Sequence, residues 1–200
     1  MNKMKKNLLS TLFVALAFSS SIFSQVQVWK IDNMHSSVKF SVTHLVISEV
    51  DGSFKTYDGT ISTTKSDFTD ANIDFSIDVN SINTDMEKRD QHLKADDFFN
   101  AEAYPKMTFK SISMKKIAKN VYELTGNLTI RNVTKKVKFK VIYGGTTKDG
   151  YGNTKAGFKA TTTINRFDYG LKWNALTEAG GSTVGKDVSI VLNLEFAKQK

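Results

Sequence analysis

Three histidines, His35, His44 and His92, are the residues of this chain best suited to metal ligation or proton transfer. With neighbouring carboxylates they would form a zinc site, yet their spacing matches no HExxH or comparable pattern. His44 closes the apolar face of an alternating run, where a core or rim histidine is equally at home. Asp96-Asp97 stand beside Phe98-Phe99 and suit the cap of a short helix as well as acid–base chemistry. There is no Gly-x-Ser-x-Gly elbow and no phosphate-cradling loop, and Gly180-Gly181-Ser182 is a turn-like cluster. Cysteine is absent, which excludes a thiolate nucleophile, a thiolate metal site, a disulfide framework and a lipoprotein acyl group. No constellation supplies both a nucleophile and a base, so the reading is a protein that is not an enzyme and uses no cofactor.

The elements that would position these residues are mostly strands. In His35 to His44, Val38, Phe40, Val42 and His44 share one face, with Ser37, Lys39, Ser41 and Thr43 on the other. Val28 to Asp32 reads as a short first strand, and Val50 to Ser62 as an extended stretch with bends or bulges at Gly52 and Gly59. Ala71, Ile73, Phe75, Ile77 and Val79 alternate with polar residues, and Met107 to Met114 is extended. Tyr122 to Ile130, Val137 to Tyr143, Ala156 to Ile164 and Val188 to Phe196 repeat the pattern, with Gly144-Gly145 and Asp149-Gly150 as turn signals. About eight long amphipathic strands follow, and such strands close into an antiparallel barrel or pack as a sandwich. An eight-stranded barrel is just wide enough to fill with its own side chains or to hold one slender ligand.

One stretch does not alternate. Thr84 with Glu87 has the form of a capping box, and Met86, Leu93 and Phe98-Phe99 follow at roughly helical spacing. Pro105, the single proline, ends the segment. The expectation is a short helical insertion over about residues 84–100, packed on one end or edge of a closed sheet.

The chain divides into residues 1–24, read as a secretory signal peptide, and a single domain over 25–200. Lys3, Lys5 and Lys6 form its positive region and Leu8 to Phe18 its apolar core, with cleavage near Ser24-Gln25 and a periplasmic or secreted destination. Losing those lysines lowers the net charge from +8 to +5, with 25 basic against 20 acidic residues. Lys135, Lys136, Lys138 and Lys140 form a stripe that a solvated strand face or an anionic partner would explain. It lacks interleaved exposed aromatics, which with secretion argues against nucleic acid.

Nine segments in order resemble the YceI-like family of exported polyisoprenoid-binding proteins. They are Trp29-Lys30-Ile31-Asp32 with His35-Ser36, Phe40 to His44, Gly52-Ser53-Phe54 with Gly59, Ser81 to Thr84, Arg89 to Leu93, Asp97-Phe98-Phe99, Tyr104 to Phe109, Gly126 to Ile130 and Ile164 to Leu171. The glycine-rich run from Ala179 to Gly185 also matches the family's loop before the last strand. The resemblance implies an all-β, eight-stranded antiparallel, lipocalin-like β-barrel holding an isoprenoid or other long-chain amphiphilic lipid noncovalently, for transport, storage or stress response. A quinone and a polyprenyl compound both fit that class. On this reading Phe40, Val42, Phe75, Ile77, Leu128, Phe139, Phe158 and Leu192 line the tunnel, with Phe98, Phe99 and Trp173 at its mouth. His44, Arg89, His92 and Arg166 are the polar groups for a headgroup or rim, Arg89-Asp90 alternatively being an ion pair that anchors the insertion. Small Ala156 and Ala160 beside Phe158 mark where added bulk would obstruct a tail. A filled barrel without lipid and a histidine-based metal enzyme are the competing readings. A transient membrane-surface contact and a homodimer stay open.

Overall fold

The computed structural model describes residues 25–176 and 180–200. The expected signal segment, its cleavage site and Ala179 of the glycine-rich run lie outside the described residues. The alternating runs form eleven strands: β1 (Gln27–Ile31), β2 (Ser37–His44), β3 (Ser48–Phe54), β4 (Tyr57–Thr63), β5 (Asn72–Asp78), β6 (Ile82–Asn83), β7 (Lys106–Ala118), β8 (Val121–Ile130), β9 (Val133–Lys148), β10 (Thr154–Asn165) and β11 (Val184–Lys198). One helix, α1 (Glu87–Lys94), separates β6 from β7.

The sheet runs β1–β4–β5–β7–β8–β9–β10–β11 and closes where Trp29, Lys30 and Ile31 pair with Lys198, Ala197 and Phe196. The wall is therefore an eight-stranded antiparallel barrel. The strands β2, β3 and β6 extend β1, β4 and β5 beyond breaks at 32–36, 55–56 and 79–81. The last strand spans one such break. Val188 to Asn193 pair with β2 and Phe196 to Lys198 with β1, while the Glu195 carbonyl accepts from the Asp32 amide at 2.8 Å.

Glycine roles differ from the sequence reading. Gly52 and Gly59 lie inside strands opposite Phe40 and Phe75, and neither marks a bend. Each would place a Cβ within 2.4 Å of the facing phenyl ring, so the ring lies over the bare backbone. Gly126 does the same under Phe109. Gly144-Gly145 is not a turn but a bulge in β9, where the register against β10 shifts between Gly157 and Phe158. Bulges in β7 at Ser111/Ser113 and Lys116/Ala118 turn Ile112 and Ile117 outward.

The insertion is also shorter than expected. The helix stops at Lys94 and carries no buried residue. No capping box forms, because Asp85 turns into the left-handed region (φ 60°) and separates Thr84 from the first helical turn. Met86 is the N-cap, without a side-chain bond, and is 54% exposed. Thr84 is instead buried under Asp90 and Arg89. Its amide and Oγ1 donate to Asp90 Oδ1 at 2.9 and 2.6 Å, and Arg89 donates to its Oγ1 and carbonyl at 2.7 and 2.6 Å. Arg89 and Asp90 anchor the insertion through this shared threonine.

Gly126→Ala tests the ring-over-glycine packing, because the new Cβ would sit 2.2 Å from Phe109 and 2.6 Å from the fixed Lys110 carbonyl. A stability loss of about 1–3 kcal/mol is expected, seen as a lower urea midpoint at unchanged slope. An unaltered midpoint would mean that the ring does not lie there.

Candidate functional site: an apolar cavity

The inward faces enclose a cavity of about 190 Å³. Its wall takes Val38, Phe40 and Val42 from β2, Ile73, Phe75 and Ile77 from β5, and Leu124, Leu128 and Ile130 from β8. Phe139 and Val141 come from β9, Phe158, Ala160 and Ile164 from β10, and Val188 to Phe196 on alternate positions from β11. Leu93, Phe98 and Phe99 of the insertion close one end. All eight residues expected to line a tunnel, with Phe98 and Phe99, are on this surface.

Trp173 is not on it. It stacks on the far side of Phe98 (centroids 5.5 Å, 25°), with the His92 ring edge-on to both, and its amide donates to the Asp97 carbonyl at 3.1 Å. His92 also meets Asp97 at 2.9 Å in an exposed setting. The roof over this end is thus an aromatic trio on a polar helix.

The remaining polar candidates are committed elsewhere. Arg166 is 3% exposed and touches the cavity, but its guanidinium donates to the carbonyls of Gly185, Leu171, Trp173 and Val184 at 2.7–3.1 Å. Burial lowers its pKa, and the four carbonyls carry the charge. It ties the 170–185 loop to β10 and offers a headgroup no free donor. Arg89 is occupied by Thr84 as above. His44 is half-buried at the end of β2 and outside the cavity wall. The lysine stripe of β9 is exposed, with Lys138 paired to Glu123 at 3.2 Å.

Two determinants escaped the sequence reading. Phe68, 2% exposed and with φ 60°, plugs the opposite end from the β4–β5 loop, against Trp29, Tyr143 and Phe158 at 5.1–5.5 Å. Its loop is clamped by Asp70, whose burial opposes its charge. Hydrogen bonds from Thr63, Thr64 and Lys65 nevertheless hold the carboxyl well below the usual range. Phe158 therefore belongs to a packed plug, and the space beside Ala156 and Ala160 is partly taken by it. The second is Arg131 in the β8–β9 turn, which donates to the Asp96, Phe98 and Gly170 carbonyls at 2.9–3.1 Å and fastens the insertion to the loop after β10. A lone aromatic in a polar loop and an arginine in a two-residue turn were the available signals.

Among the described residues, the grouping with metal-ligand geometry is Asp32, His35 and Glu195, without His44 or His92. Lys155 already holds it, pairing with Asp32 and lying 3.3 Å from Glu195. An ammonium occupies the place a cation would take.

A match to the YceI-like domain spans residues 29–196. The chain belongs to the YceI-like family. A UPF0312 protein of Staphylococcus aureus (strain MSSA476) is 38% identical over 169 residues, covering 83% of this chain and 95% of its own. The Campylobacter jejuni YceI crystal structure superposes with TM-score 0.67 at 32% identity, over 79% of this chain and 90% of that one. A polyisoprenoid-binding domain from Saccharophagus degradans shares the fold (TM-score 0.66) at 16% identity, over 86% and 98% of the two chains.

The Asp32–Lys155 pair, 16% and 14% exposed, pins the β1–β2 break to β10. The hydrogen bond from Lys155 lowers the Asp32 pKa from 3.8 to about 2. A depressed carboxyl stabilises above its unfolded pKa, and that stability is lost as pH falls through the folded one. Equilibrium unfolding should accordingly lose about 2 kcal/mol between about pH 4 and pH 2. Asp32→Asn should remove this slope and lower stability at neutral pH.

Proposed function

We propose that this protein is an exported binding protein that holds one long-chain isoprenoid lipid, of polyprenyl or quinone type, noncovalently in its barrel. It acts in transport, storage or stress response in the periplasm or outside the cell, after signal cleavage near Ser24-Gln25, and catalyses no reaction. The observation that carries the reading is the cavity itself: a closed lumen lined by hydrocarbon, in which the one guanidinium present is saturated by backbone carbonyls. Such a surface recognises a tail. Burying methylene groups yields ~0.8 kcal/mol each, whereas a headgroup hydrogen bond adds ~1 kcal/mol. The shared architecture of the Saccharophagus degradans domain, described as polyisoprenoid-binding, is consistent with this reading and does not carry it.

Native mass spectrometry of gently purified protein should show a released isoprenoid at about one per chain, or uptake of added quinone or polyprenol to that level. No adduct and no uptake would favour a filled barrel. Ala160, 5% exposed on the cavity wall between Val141 and Leu192, is the place to obstruct a tail without touching the plug. Ala160→Phe should weaken long-chain uptake by about tenfold or more, since it displaces several methylenes, and leave thermal stability unchanged or raised. Unchanged uptake in the folded variant would place the tail elsewhere.

A further inference from the structure

The β2–β3 hairpin turns through Leu45, Val46 and Ile47, which are 40%, 69% and 85% exposed. Leu45 and Val46 both take left-handed backbone (φ 51° and 67°). Turns that need this conformation ordinarily use Gly, Asn or Asp, and a β-branched residue there is strained. The chain thus accepts strain in order to present three consecutive apolar side chains to solvent, the kind of outlier that points to a function for the tip.

The tip does not stand alone. The Leu45 amide donates to the Thr183 carbonyl, and the Thr183 amide to the Ala175 carbonyl, each at 2.8 Å. Leu176, 68% exposed, pairs with Ser182 next in this ladder. Two apolar tips therefore lie side by side. They sit at the roofed end, because His44 pairs with Val184, and Val42, Val184 and Val188 are already cavity wall.

We infer that these paired tips are a membrane-docking edge: Leu45, Val46, Ile47 and Leu176 enter the boundary between headgroups and acyl chains of a lipid bilayer and set the roofed end of the cavity on it. The size of the patch argues against a second copy of the chain, since four protruding side chains fall far short of the roughly 20–30 residues a side that a stable interface uses. The flanking charges, Glu49, Lys172 and Lys186, are of mixed sign, so hydrocarbon rather than anionic lipid is what the edge recognises. The inference extends the cargo reading by naming where a long-chain lipid is exchanged.

The test is flotation of the purified protein with phosphatidylcholine vesicles. The wild type should partition in a salt-insensitive way, and the Val46→Asp/Ile47→Asp double variant roughly a hundredfold less, as expected for two apolar side chains withheld from the bilayer. Folding is not at risk, because Asp tolerates the left-handed turn better than Val, so the melting temperature should hold or rise. Ile47→Trp should shift its emission to the blue on vesicle addition and be quenched by bromine-labelled acyl chains. Equal partition of wild type and double variant would overturn the proposal. So would partition confined to anionic vesicles and abolished by salt, which would implicate the lysine face, or loss of a dimer in the double variant by analytical ultracentrifugation. Vesicle binding without lipid uptake would sink the cargo reading alone, and uptake of solubilised quinone without vesicle binding would sink this one alone.

Discussion

Closure of β11 onto β1 is the constraint on which the rest depends. Once the ladder returns on itself, no edge is left in the ring and every second side chain is committed to the interior. Eight strands leave a lumen that ordinary core packing could fill. Here it is not filled, and the three glycine pairs supply a reason. Phe40, Phe75 and Phe109 lie down on Gly52, Gly59 and Gly126 and line the wall, so large side chains that would otherwise cross the lumen leave its centre free.

The two ends are closed by different physics. Phe68, Trp29, Tyr143, Phe158 and Phe196 make an aromatic plug whose rings contact one another at 5.1–6.1 Å. The other end is roofed by a helix with no buried residue, held by Phe98 and by arginines that donate to loop carbonyls. Buried aromatic surface makes a plug costly to open. A roof held largely by hydrogen bonds at part-exposed loops gives up much less apolar burial when it lifts. The asymmetry assigns the closed end and the openable end without reference to any ligand.

Strand count, faces and barrel class were legible because alternation reports which side of a closed sheet a residue occupies, and Phe40, Phe75, Leu128 and Leu192 all fell on the inner face as read. What was misread depended on geometry that local pattern does not encode. Thr84 and Glu87 had capping-box spacing, but the left-handed Asp85 broke the frame. Gly144-Gly145 had turn composition, but β9 ran through it with a bulge. Trp173 was aromatic and near the right loop, but it backs Phe98 and does not face the lumen. Arg89 and Arg166 were recognisable as special but not as saturated, because their partners are carbonyls and any residue carries one.

That saturation bears on selectivity. An apolar void of about 190 Å³ left empty costs on the order of 5 kcal/mol relative to a filled core, so hydrocarbon entering it recovers stability as well as solvent-transfer energy. A polar headgroup entering the same space would find no donor, since the Arg166 guanidinium already serves four carbonyls and could release one only by leaving it unsatisfied. The polar end of any ligand is thereby directed outward, past Phe98 and Phe99 towards the roof. Discrimination between ligands then falls to the length and girth of the tail that fits between the roof and Phe68.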